Sequence, residues 1–272
     1  MGLRELDLTL RDLGSVLVAF SGGADSAFLL ARAVSVLGPD KVAAATGVSG
    51  SLPAVELARA ADFAAGLGVR HLTPRTDEMA RDGYRANAGD RCFFCKAELL
   101  DVLGPVADRL GLARVATGTN ADDVVAGFRP GIRAAAERGA ATPLADAGLS
   151  KADVRAASRE MGLPTWDKPA AACLSSRIAY GLEISPARLA RVERAEAALR
   201  AALDRAGLPV RDLRVRDLGD AGARIEVDRD LVGTLAARPD LLAAVSGFPA
   251  VAVDPLGFRS GSLNAALDVR HR

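Results

Sequence analysis

The sequence is poor in the residues that mark several specialised classes of protein. Aromatic residues make up 4% of its 272 residues, and it has three cysteines, two histidines and one tryptophan. Three thiols cannot all pair with one another, so a secreted fold held by disulfides is not expected. Because apolar residues still make up 50% of the chain, alanine, leucine and valine must build a core of ordinary size.

Net charge and long apolar runs are also lacking. The formal net charge is only +1, so the chain has no overall positive field of the kind that attracts nucleic acid. No apolar run reaches the roughly 18 residues of a membrane span, and the first residues lack the basic and apolar regions of a secretory signal. We therefore expect a cytoplasmic protein without a membrane or nucleic-acid partner.

The first half of the chain alternates apolar runs typical of buried strands with helical patterns. Strands are predicted at residues 15–20, 41–48, 69–74 and 114–118. Helices are predicted between them at residues 26–37, 53–67 and 90–110. Repeated units of this kind predict an α/β fold, with a doubly wound parallel sheet, right-handed crossovers and helices on both faces.

The second half follows a different order of elements. A helix at 150–161 and a loop at 164–169 precede a helix at 186–206, strands at 213–217 and 223–228, a helix at 231–245 and a strand at 250–254. This order predicts a smaller α+β domain after the parallel sheet. We divide the chain into residues 1–148, a connecting helix and loop at 149–182, and the small domain at 183–272.

The clearest motif is Ser21-Gly22-Gly23-Ala24-Asp25-Ser26, between the first strand and the first predicted helix. The two glycines allow a tight turn and a close approach of the backbone to a ligand. A helix N-terminus presents N–H groups and a positive dipole end to an anion, and Ser21 and Ser26 add hydroxyl donors. Asp25 would repel phosphates unless Mg²⁺ lies between them or its carboxylate orients the loop. The motif predicts a phosphate site for ATP with magnesium.

A second turn of small and acidic residues, Gly118 to Asp123, follows the fourth strand. Ligands of doubly wound sheets lie off the carboxyl ends of the strands, so this turn is expected on the same edge as the first motif. Gly118, Asn120 and Asp122 are therefore candidate ATP contacts, and the exit of the second strand, Gly47 to Ser51, is a nucleoside contact by position. The same residues would also suit an ordinary helix start, in which a polar residue caps the helix and acidic residues occupy its first turn. The first motif lacks the Gly-Lys-Ser/Thr ending of a Walker loop and the dinucleotide glycine pattern.

The three cysteines form a Cys-x-x-Cys of Cys92 and Cys95 and a distant Cys173. Their spacing leaves four interpretations open: buried structural thiols, a redox disulfide of Cys92 and Cys95, a zinc site, or an iron–sulfur cluster held by three thiolates. Zinc usually takes four ligands, and the only histidines are His71 and His271. Three thiolate ligands would leave one iron of a cluster open to an extra ligand such as sulfide.

The loop around Cys173 also carries Ser176 and Arg177. A guanidinium nearby favours the nucleophilic thiolate form of cysteine, and it is equally suited to grip a phosphate. Cys173, Ser176 and Arg177 are therefore candidates for catalysis. Farther along, Arg214 and Arg216 alternate on one strand, so that their side chains share a face.

The first motif resembles the PP-loop of the ATP-pyrophosphatase superfamily. Members of that superfamily split ATP between its α- and β-phosphates and adenylylate a carbonyl or carboxyl oxygen. Four further stretches are similar to one family of the group, the LarE-type ATP-dependent sacrificial sulfur transferases. They are Asp90 to Lys96, Gly118 to Asp123, Phe128 to Ala135, and Lys168 to Arg177. The resemblance runs from about Ser15 to about Glu226, which is most of the chain.

The resemblance implies a function in the biosynthesis of the nickel-pincer nucleotide of lactate racemase. Mg-ATP would adenylylate a carboxylate of pyridinium-3,5-biscarboxylic acid mononucleotide, and a sulfur nucleophile would displace AMP to leave a thiocarboxylate. The resemblance further implies that Arg214 and Arg216 bind the phosphate of this small-molecule substrate. It also implies a homo-oligomer, either a trimer or a hexamer.

The resemblance gives Cys173 two possible roles. In single-cysteine members the corresponding cysteine gives up its own sulfur and becomes dehydroalanine. Members with three cysteines resemble enzymes in which a four-iron, four-sulfur cluster carries sulfide from a sulfide donor. Because this chain also has Cys92 and Cys95, we favour Cys173 as a cluster ligand over Cys173 as a sacrificed sulfur donor.

Three other functions stay open from the sequence. They are a PP-loop tRNA thiolase, a PP-loop amide-forming synthetase that uses ammonia, and a nucleotide-binding subunit without activity. A thiolase would need a basic face for tRNA, which a net charge of +1 does not favour. The chain shows no segment that would form a separate glutaminase domain to supply ammonia.

Overall fold

A computed structural model describes residues 2–127, 129–169, 172–259 and 261–263 of the chain. Contacts divide the chain into two compact units, one of Met1–Tyr84 and Asp90–Ala171, the other of Arg85–Gly89 and Ala172–Arg272. The boundary at residue 171 falls within the segment 149–182 that the sequence suggested as a connection. The described residues include no helix long and apolar enough to cross a membrane.

The first unit contains a four-stranded parallel sheet. Its strands are β1 (Val16–Ala19), β2 (Val42–Ala45), β3 (Arg70–Leu72) and β4 (Arg114–Thr117). They lie in the order β3-β2-β1-β4, and every neighbouring pair is parallel. All residues of β1 and β2 are buried, as expected of strands covered on both faces. The doubly wound α/β fold predicted from the sequence is thus confirmed.

The strand order reverses next to β1. From β1 the chain moves outward through β2 to β3 and then returns to the other side of β1 as β4. In open α/β sheets such a reversal leaves a crevice beyond the carboxyl ends of the two strands, and ligands bind there. The loops that follow β1 and β4 are those with the predicted phosphate motif and the turn at Gly118.

Helices cover both faces of this sheet. The α-helices of the described chain are α1 (Leu3–Leu13), α2 (Ala24–Leu37), α3 (Ala54–Gly66), α4 (Asp82–Arg85), α5 (Arg91–Arg109), α6 (Ala121–Val125), α7 (Pro130–Glu137), α8 (Pro143–Asp146), α9 (Lys151–Glu160), α10 (Pro186–Arg205), α11 (Val232–Ala236) and α12 (Pro239–Leu242). One hydrophobic cluster joins Leu6 of α1 and Phe28 of α2 to the sheet, and another joins Leu103 of α5 to Leu17 of β1. Helix α1, which the sequence analysis missed, packs its buried Leu6 and Leu10 against this core.

The second unit contains a smaller α+β fold, as predicted. Strands β5 (Leu213–Asp217) and β6 (Ala223–Val227) are antiparallel, and β7 (Val251–Val253) lies parallel to β6. Leu199 and Leu203 of α10 pack in one core with Val215 and Ile225 of the strands. The prediction of one helix over 231–245 was wrong: the chain forms α11 and α12 instead, because Pro239 cannot continue a helix but fits the first turn of a new one.

Candidate active site

The predicted phosphate loop connects β1 to α2 at the edge of the sheet where β1 and β4 end. Gly22 has a φ of 70°, a left-handed conformation that favours glycine. Gly23 is the N-cap of α2 and has no side chain that could cap the helix. An anion in front of α2 is therefore a natural partner for the N–H groups of its first turn.

Ser21 and Ser26 lie together within this loop. Their Oγ atoms are 3.1 Å apart, and the Ser21 N–H donates to Ser26 Oγ at 3.3 Å. Ser26 Oγ donates to the Gly23 carbonyl at 3.2 Å, and the Gly23 N–H donates to Ser21 Oγ at 3.4 Å. The two hydroxyls that the sequence suggested as phosphate donors are thus brought together by the turn that presents them.

The turn after β4 touches the phosphate loop through its backbone. A Cβ atom on Gly118 would lie 2.7 Å from Ser26 N, 2.9 Å from Ser26 Cα and 3.0 Å from the Asp25 carbonyl carbon. Only glycine allows the two loops to approach so closely. The structure therefore places Gly118 beside the phosphate loop, as expected from the order of the strands.

Asp25 is held by two side chains from other parts of the first unit. Its carboxylate forms an ion pair with the Lys151 ammonium and lies 3.5 Å from Asn120 Nδ2. Asp122 accepts a hydrogen bond from the Lys151 backbone N–H at 2.8 Å. Lys151, which the sequence did not single out, thus links Asp25 with Asp122, and Asn120 joins them through Asp25.

The start of α9 determines the position of Lys151. Ser150 and Asp153 form a capping box, in which each side chain accepts a hydrogen bond from the backbone of the other. This box fixes Lys151 as the first residue of the helix. The Ser-x-x-Asp pattern is visible in the sequence, but the ion pair with Asp25 depends on the packing of α9 against α2.

Lys168 is a second cation at the phosphate loop, and the sequence did not suggest that it belongs to this site. Its ammonium donates to the Gly22 carbonyl at 2.9 Å and to Glu56 Oε2 at 2.7 Å. Gly22 and Lys168 also border a cavity of about 520 Å³, together with Phe63 and Thr165. The phosphate loop thus has a lysine on either side, Lys151 at Asp25 and Lys168 at Gly22.

A further cavity of about 570 Å³ opens beyond the carboxyl ends of β2 and β3. Ser49 lines it, within the segment that the sequence suggested as a nucleoside contact. Ser49 and Ser51 both donate to the buried carboxylate of Glu78, at 2.5 and 2.6 Å. This carboxylate holds the loop after β2 in place, next to a space of a size suited to a small ligand.

Cys92 and Cys95 lie in the first turn of α5, three residues apart on one side of the helix. Cys92 is exposed and Cys95 half-buried, and neither forms a disulfide. Burial lowers the pKa of the neighbouring Lys96, and electrostatic interaction with Cys95 and Cys92 opposes that shift. Within each unit, the described residues form no group of three or more Cys, His, Asp or Glu side chains that could hold a metal ion.

Cys173 lies in the second unit, at the start of a short 3₁₀ helix, Leu174–Arg177. Its thiol is free and half-buried. The Cys173 carbonyl accepts hydrogen bonds from Ser176 Oγ at 2.7 Å and from Arg177 Nη1 at 3.0 Å. Arg177 is 4% exposed and forms a two-pronged ion pair with Glu196 at 2.9 and 3.1 Å. The three predicted catalytic residues are therefore held together in one tight turn.

Arg216 lies against this turn from β5. It donates to Glu226 Oε2 from Nε and Nη2 at 3.0 and 2.7 Å, and to the Ser176 carbonyl at 3.0 Å. Ser262 completes the group, since its Oγ donates to Glu226 Oε1 at 2.6 Å and accepts from Arg216 at 3.1 Å. The sequence analysis missed Glu196 and Ser262, because nothing local in the sequence shows which carboxylate or hydroxyl reaches a given arginine.

Arg214 is surrounded by positive charge. Burial, and then the charge of Arg177, lower the pKa of Arg214 to about 10, and Arg216 adds to this effect while Glu196 opposes it. Its guanidinium carbon lies 5.1 Å from the centre of the Phe258 ring. Three guanidinium groups close to one another are the arrangement expected of a phosphate site. Arg214 and Arg216, predicted as a pair, are thus joined by Arg177 in one cluster near Cys173.

The chain is similar to three curated proteins over much or nearly all of its length. It is 43% identical over 261 residues to an uncharacterised protein of Synechocystis, with 94% of each chain covered. It is 35% identical over 261 residues to the pyridinium-3,5-bisthiocarboxylic acid mononucleotide synthase of Lactiplantibacillus plantarum, over 95% of this chain and 92% of that protein. An uncharacterised protein of Methanocaldococcus jannaschii is 32% identical over 145 residues, about half of either chain. No protein-family model matches the chain.

Proposed function

The chain belongs to the LarE-type sulfurtransferases, the family of the pyridinium-3,5-bisthiocarboxylic acid mononucleotide synthases, and from this premise we propose how its residues act. It is an enzyme that converts a carboxylate of a mononucleotide into a thiocarboxylate. The observation that carries this function is 35% identity to the named synthase over 95% of the chain. The roles of ATP, of the cysteines and of individual residues below are our proposal.

The first step is adenylylation of the substrate carboxylate. A carboxylate oxygen attacks the α-phosphorus of ATP, the bond from that phosphorus to the β-phosphate bridging oxygen breaks, and pyrophosphate leaves. The first turn of α2 and the hydroxyls of Ser21 and Ser26 are proposed to bind the phosphates. Lys151, already beside the loop through Asp25, would counter the charge that develops on the leaving pyrophosphate.

Magnesium fits this loop through its oxygen donors. Mg²⁺ is usually bound by one or two protein carboxylates together with the phosphates of the nucleotide. Asp25 is the carboxylate within the loop, and Asp122 lies next to Lys151. When bound, Mg²⁺ would neutralise phosphate charge. The ion pair with Lys151 fixes the position of the Asp25 carboxylate.

The substrate phosphate is proposed to bind the cluster of Arg177, Arg214 and Arg216. Two of these arginines form two-pronged pairs with carboxylates, Arg177 with the half-buried Glu196 and Arg216 with the buried Glu226. Burial lowers the pKa of Arg214, and the charges of Arg177 and Arg216 add to this effect, so positive charge is concentrated here. A phosphate would accept charge-assisted hydrogen bonds from these guanidinium groups in a partly buried setting, where such bonds are strong.

The sulfur is proposed to reach the adenylate through the cysteines. A sulfur nucleophile attacks the acyl carbon, the bond to the AMP oxygen breaks, and AMP leaves a thiocarboxylate behind. The three cysteines, none of which is in a disulfide, suit a four-iron, four-sulfur cluster with Cys92, Cys95 and Cys173 as ligands, and such a cluster would supply sulfide when bound. In the alternative, Cys173 itself gives up its sulfur and becomes dehydroalanine.

The function is tested with protein purified without oxygen and the substrate pyridinium-3,5-biscarboxylic acid mononucleotide. With Mg-ATP and sulfide, mass spectrometry is expected to show an exchange of oxygen for sulfur in the substrate, with one AMP and one pyrophosphate formed for each exchange. Replacing sulfide by ammonia tests for an amide-forming synthetase, and replacing the mononucleotide by tRNA tests for a tRNA thiolase. Product in either of those arms, with none from the mononucleotide, would overturn the proposal.

The source of the sulfur is tested on the same preparation. Iron and acid-labile sulfide in the protein, with an intact Cys173 after turnover, would support the cluster. Protein without iron that is active without sulfide, and loses the mass of hydrogen sulfide at Cys173, would establish sacrifice instead. We also propose a homo-oligomer in the cytoplasm, with light scattering as the test of its trimeric or hexameric state.

A further inference from the structure

We propose that Lys168 is a positioning residue that fixes which way the Gly22–Gly23 peptide faces, and thereby keeps the phosphate loop in its anion-binding form. The inference rests on the proposed binding of ATP at this loop. In this role Lys168 acts on the phosphates only through the backbone of the loop, without contacting them. Lys168 lies 146 positions after Gly22 in the chain.

A peptide between two glycines needs such a restraint. Glycine tolerates both left- and right-handed conformations, so the Gly22–Gly23 peptide can turn over at little cost. The carbonyl and the N–H of a trans peptide point in opposite directions. Turning the peptide over would therefore replace an N–H donor by a carbonyl oxygen on the side that faces the phosphates, and a carbonyl repels an anion.

The Lys168 ammonium holds the carbonyl side of this peptide. It donates to the Gly22 oxygen at 2.9 Å. On the other side of the same peptide, the Gly23 N–H points to Ser21 Oγ at 3.4 Å, within the group of hydroxyls that we assign to the phosphates. That contact is long for a hydrogen bond, so the N–H keeps capacity for a better acceptor. Lys168 thus holds the donor toward the anion and the acceptor away from it.

Lys168 is itself firmly held. Its ammonium pairs with Glu56 Oε2 at 2.7 Å, and the two side chains are only 16% and 14% exposed. Glu56 lies in the first turn of α3, where a negative charge is favourable. The Lys168 N–H donates to the Thr165 carbonyl at 3.1 Å, so a turn fixes the backbone that carries the lysine. A cation fixed at both ends can restrain the peptide that it contacts.

Two other roles of Lys168 make different predictions. If Lys168 bound a phosphate directly, Lys168→Arg would keep or strengthen binding while Glu56→Gln, which frees the lysine, would improve it. If the lysine served stability alone, its removal would lower the unfolding midpoint without changing affinity for the nucleotide. A positioning role predicts that both Lys168→Met and Glu56→Gln weaken nucleotide binding, the second less than the first.

The experiment measures binding of a non-hydrolysable ATP analogue with Mg²⁺ by titration calorimetry. Loss of a hydrogen bond from a charged donor corresponds to roughly tenfold to a hundredfold in affinity, and this loss is expected for Lys168→Met. Lys168→Arg should recover part of it, and Lys41→Met, which removes an exposed lysine elsewhere in the unit, should leave affinity unchanged. In steady-state kinetics the KM for ATP should rise, with the KM for the mononucleotide unchanged.

A spectroscopic readout reports on the peptide without nucleotide. With glycine labelled in its amide nitrogen, the Gly23 resonance should move or broaden in Lys168→Met and stay near its wild-type position in Lys41→Met. Wild-type affinity and an unmoved Gly23 resonance in Lys168→Met would overturn the inference while leaving the proposed function intact. Failure of the wild-type protein to bind the nucleotide at all would overturn both.

Discussion

Gly118 lies where the two loops that we assign to nucleotide binding meet, and Gly118→Ala tests that contact by adding a single carbon atom. The added Cβ would meet Ser26 N at 2.7 Å and Ser26 Cα at 2.9 Å. Both atoms belong to the backbone of the phosphate loop, so no side chain can rotate to relieve the contact. Either the turn after β4 or the first turn of α2 must move.

The size of the effect follows from these distances. Ordinary contact begins at 3.4 Å, so the 2.7 Å contact must lengthen by about 0.7 Å. Overpacking of this kind costs about 1–3 kcal/mol, and a loop that has moved presents its N–H groups in the wrong place. If most of that cost falls on the nucleotide-bound form, affinity for ATP should fall by roughly fivefold to a hundredfold.

The assay compares ATP binding and urea unfolding of Gly118→Ala with those of Gly104→Ala. Gly104 lies inside α5, and a Cβ added there meets nothing within 4 Å, so its substitution should leave ATP binding unchanged. Its effect on stability should be small, because alanine is the better helix former but the following Pro105 disfavours a helical residue with a Cβ atom. Wild-type affinity for ATP in Gly118→Ala would refute the assignment of this junction to the nucleotide site.

Three further predictions concern the charged groups of the two units. Lys151→Met should raise the KM for ATP by roughly tenfold or more in the AMP-forming assay, because Asp25 then faces the phosphates without its cation; an unchanged KM would remove Lys151 from the site. Burial lowers the pKa of His71 below 6.5, so the unfolded chain takes up a proton that the folded chain excludes, and stability should fall as the pH drops below that value. His71→Gln should reduce this slope in urea unfolding, and an unchanged slope would contradict the assignment. Glu226→Leu should cost about 3–5 kcal/mol in the same assay by leaving Arg216 buried without its carboxylate, and a loss under 1 kcal/mol would show that the pair contributes little.

Much of the fold and the outline of the site could be predicted from local sequence. Short apolar runs identified β1 and β2, since strands buried on both faces need apolar residues throughout. Two glycines and two serines before a helix identified the phosphate loop. The rule that ligands of doubly wound sheets lie off the carboxyl ends of the strands placed the Gly118 turn on the same edge as the phosphate loop, whereas the strand order β3-β2-β1-β4 comes from the structure.

The partners of the charged residues could not be predicted in this way. Lys151 meets a residue 126 positions away and Lys168 one that is 146 positions away. Such contacts depend on how α9 and the following turn pack, which no local pattern records. The same holds for Glu196, whose carboxylate reaches both Arg177 and the N–H of Val215. In the sequence, Glu196 cannot be distinguished from a charged residue on the solvent-facing side of a helix.

The central claim, activation of a carboxylate by ATP before sulfur is added, is tested most directly with a heavy-oxygen label in the carboxylates of the mononucleotide substrate. When sulfur displaces AMP from an acyl adenylate, the oxygen that bridged carbon and phosphorus leaves with AMP. An acyl-adenylate intermediate predicts one labelled oxygen in each AMP released, in step with each thiocarboxylate formed. Thiocarboxylate formed together with unlabelled AMP would contradict it.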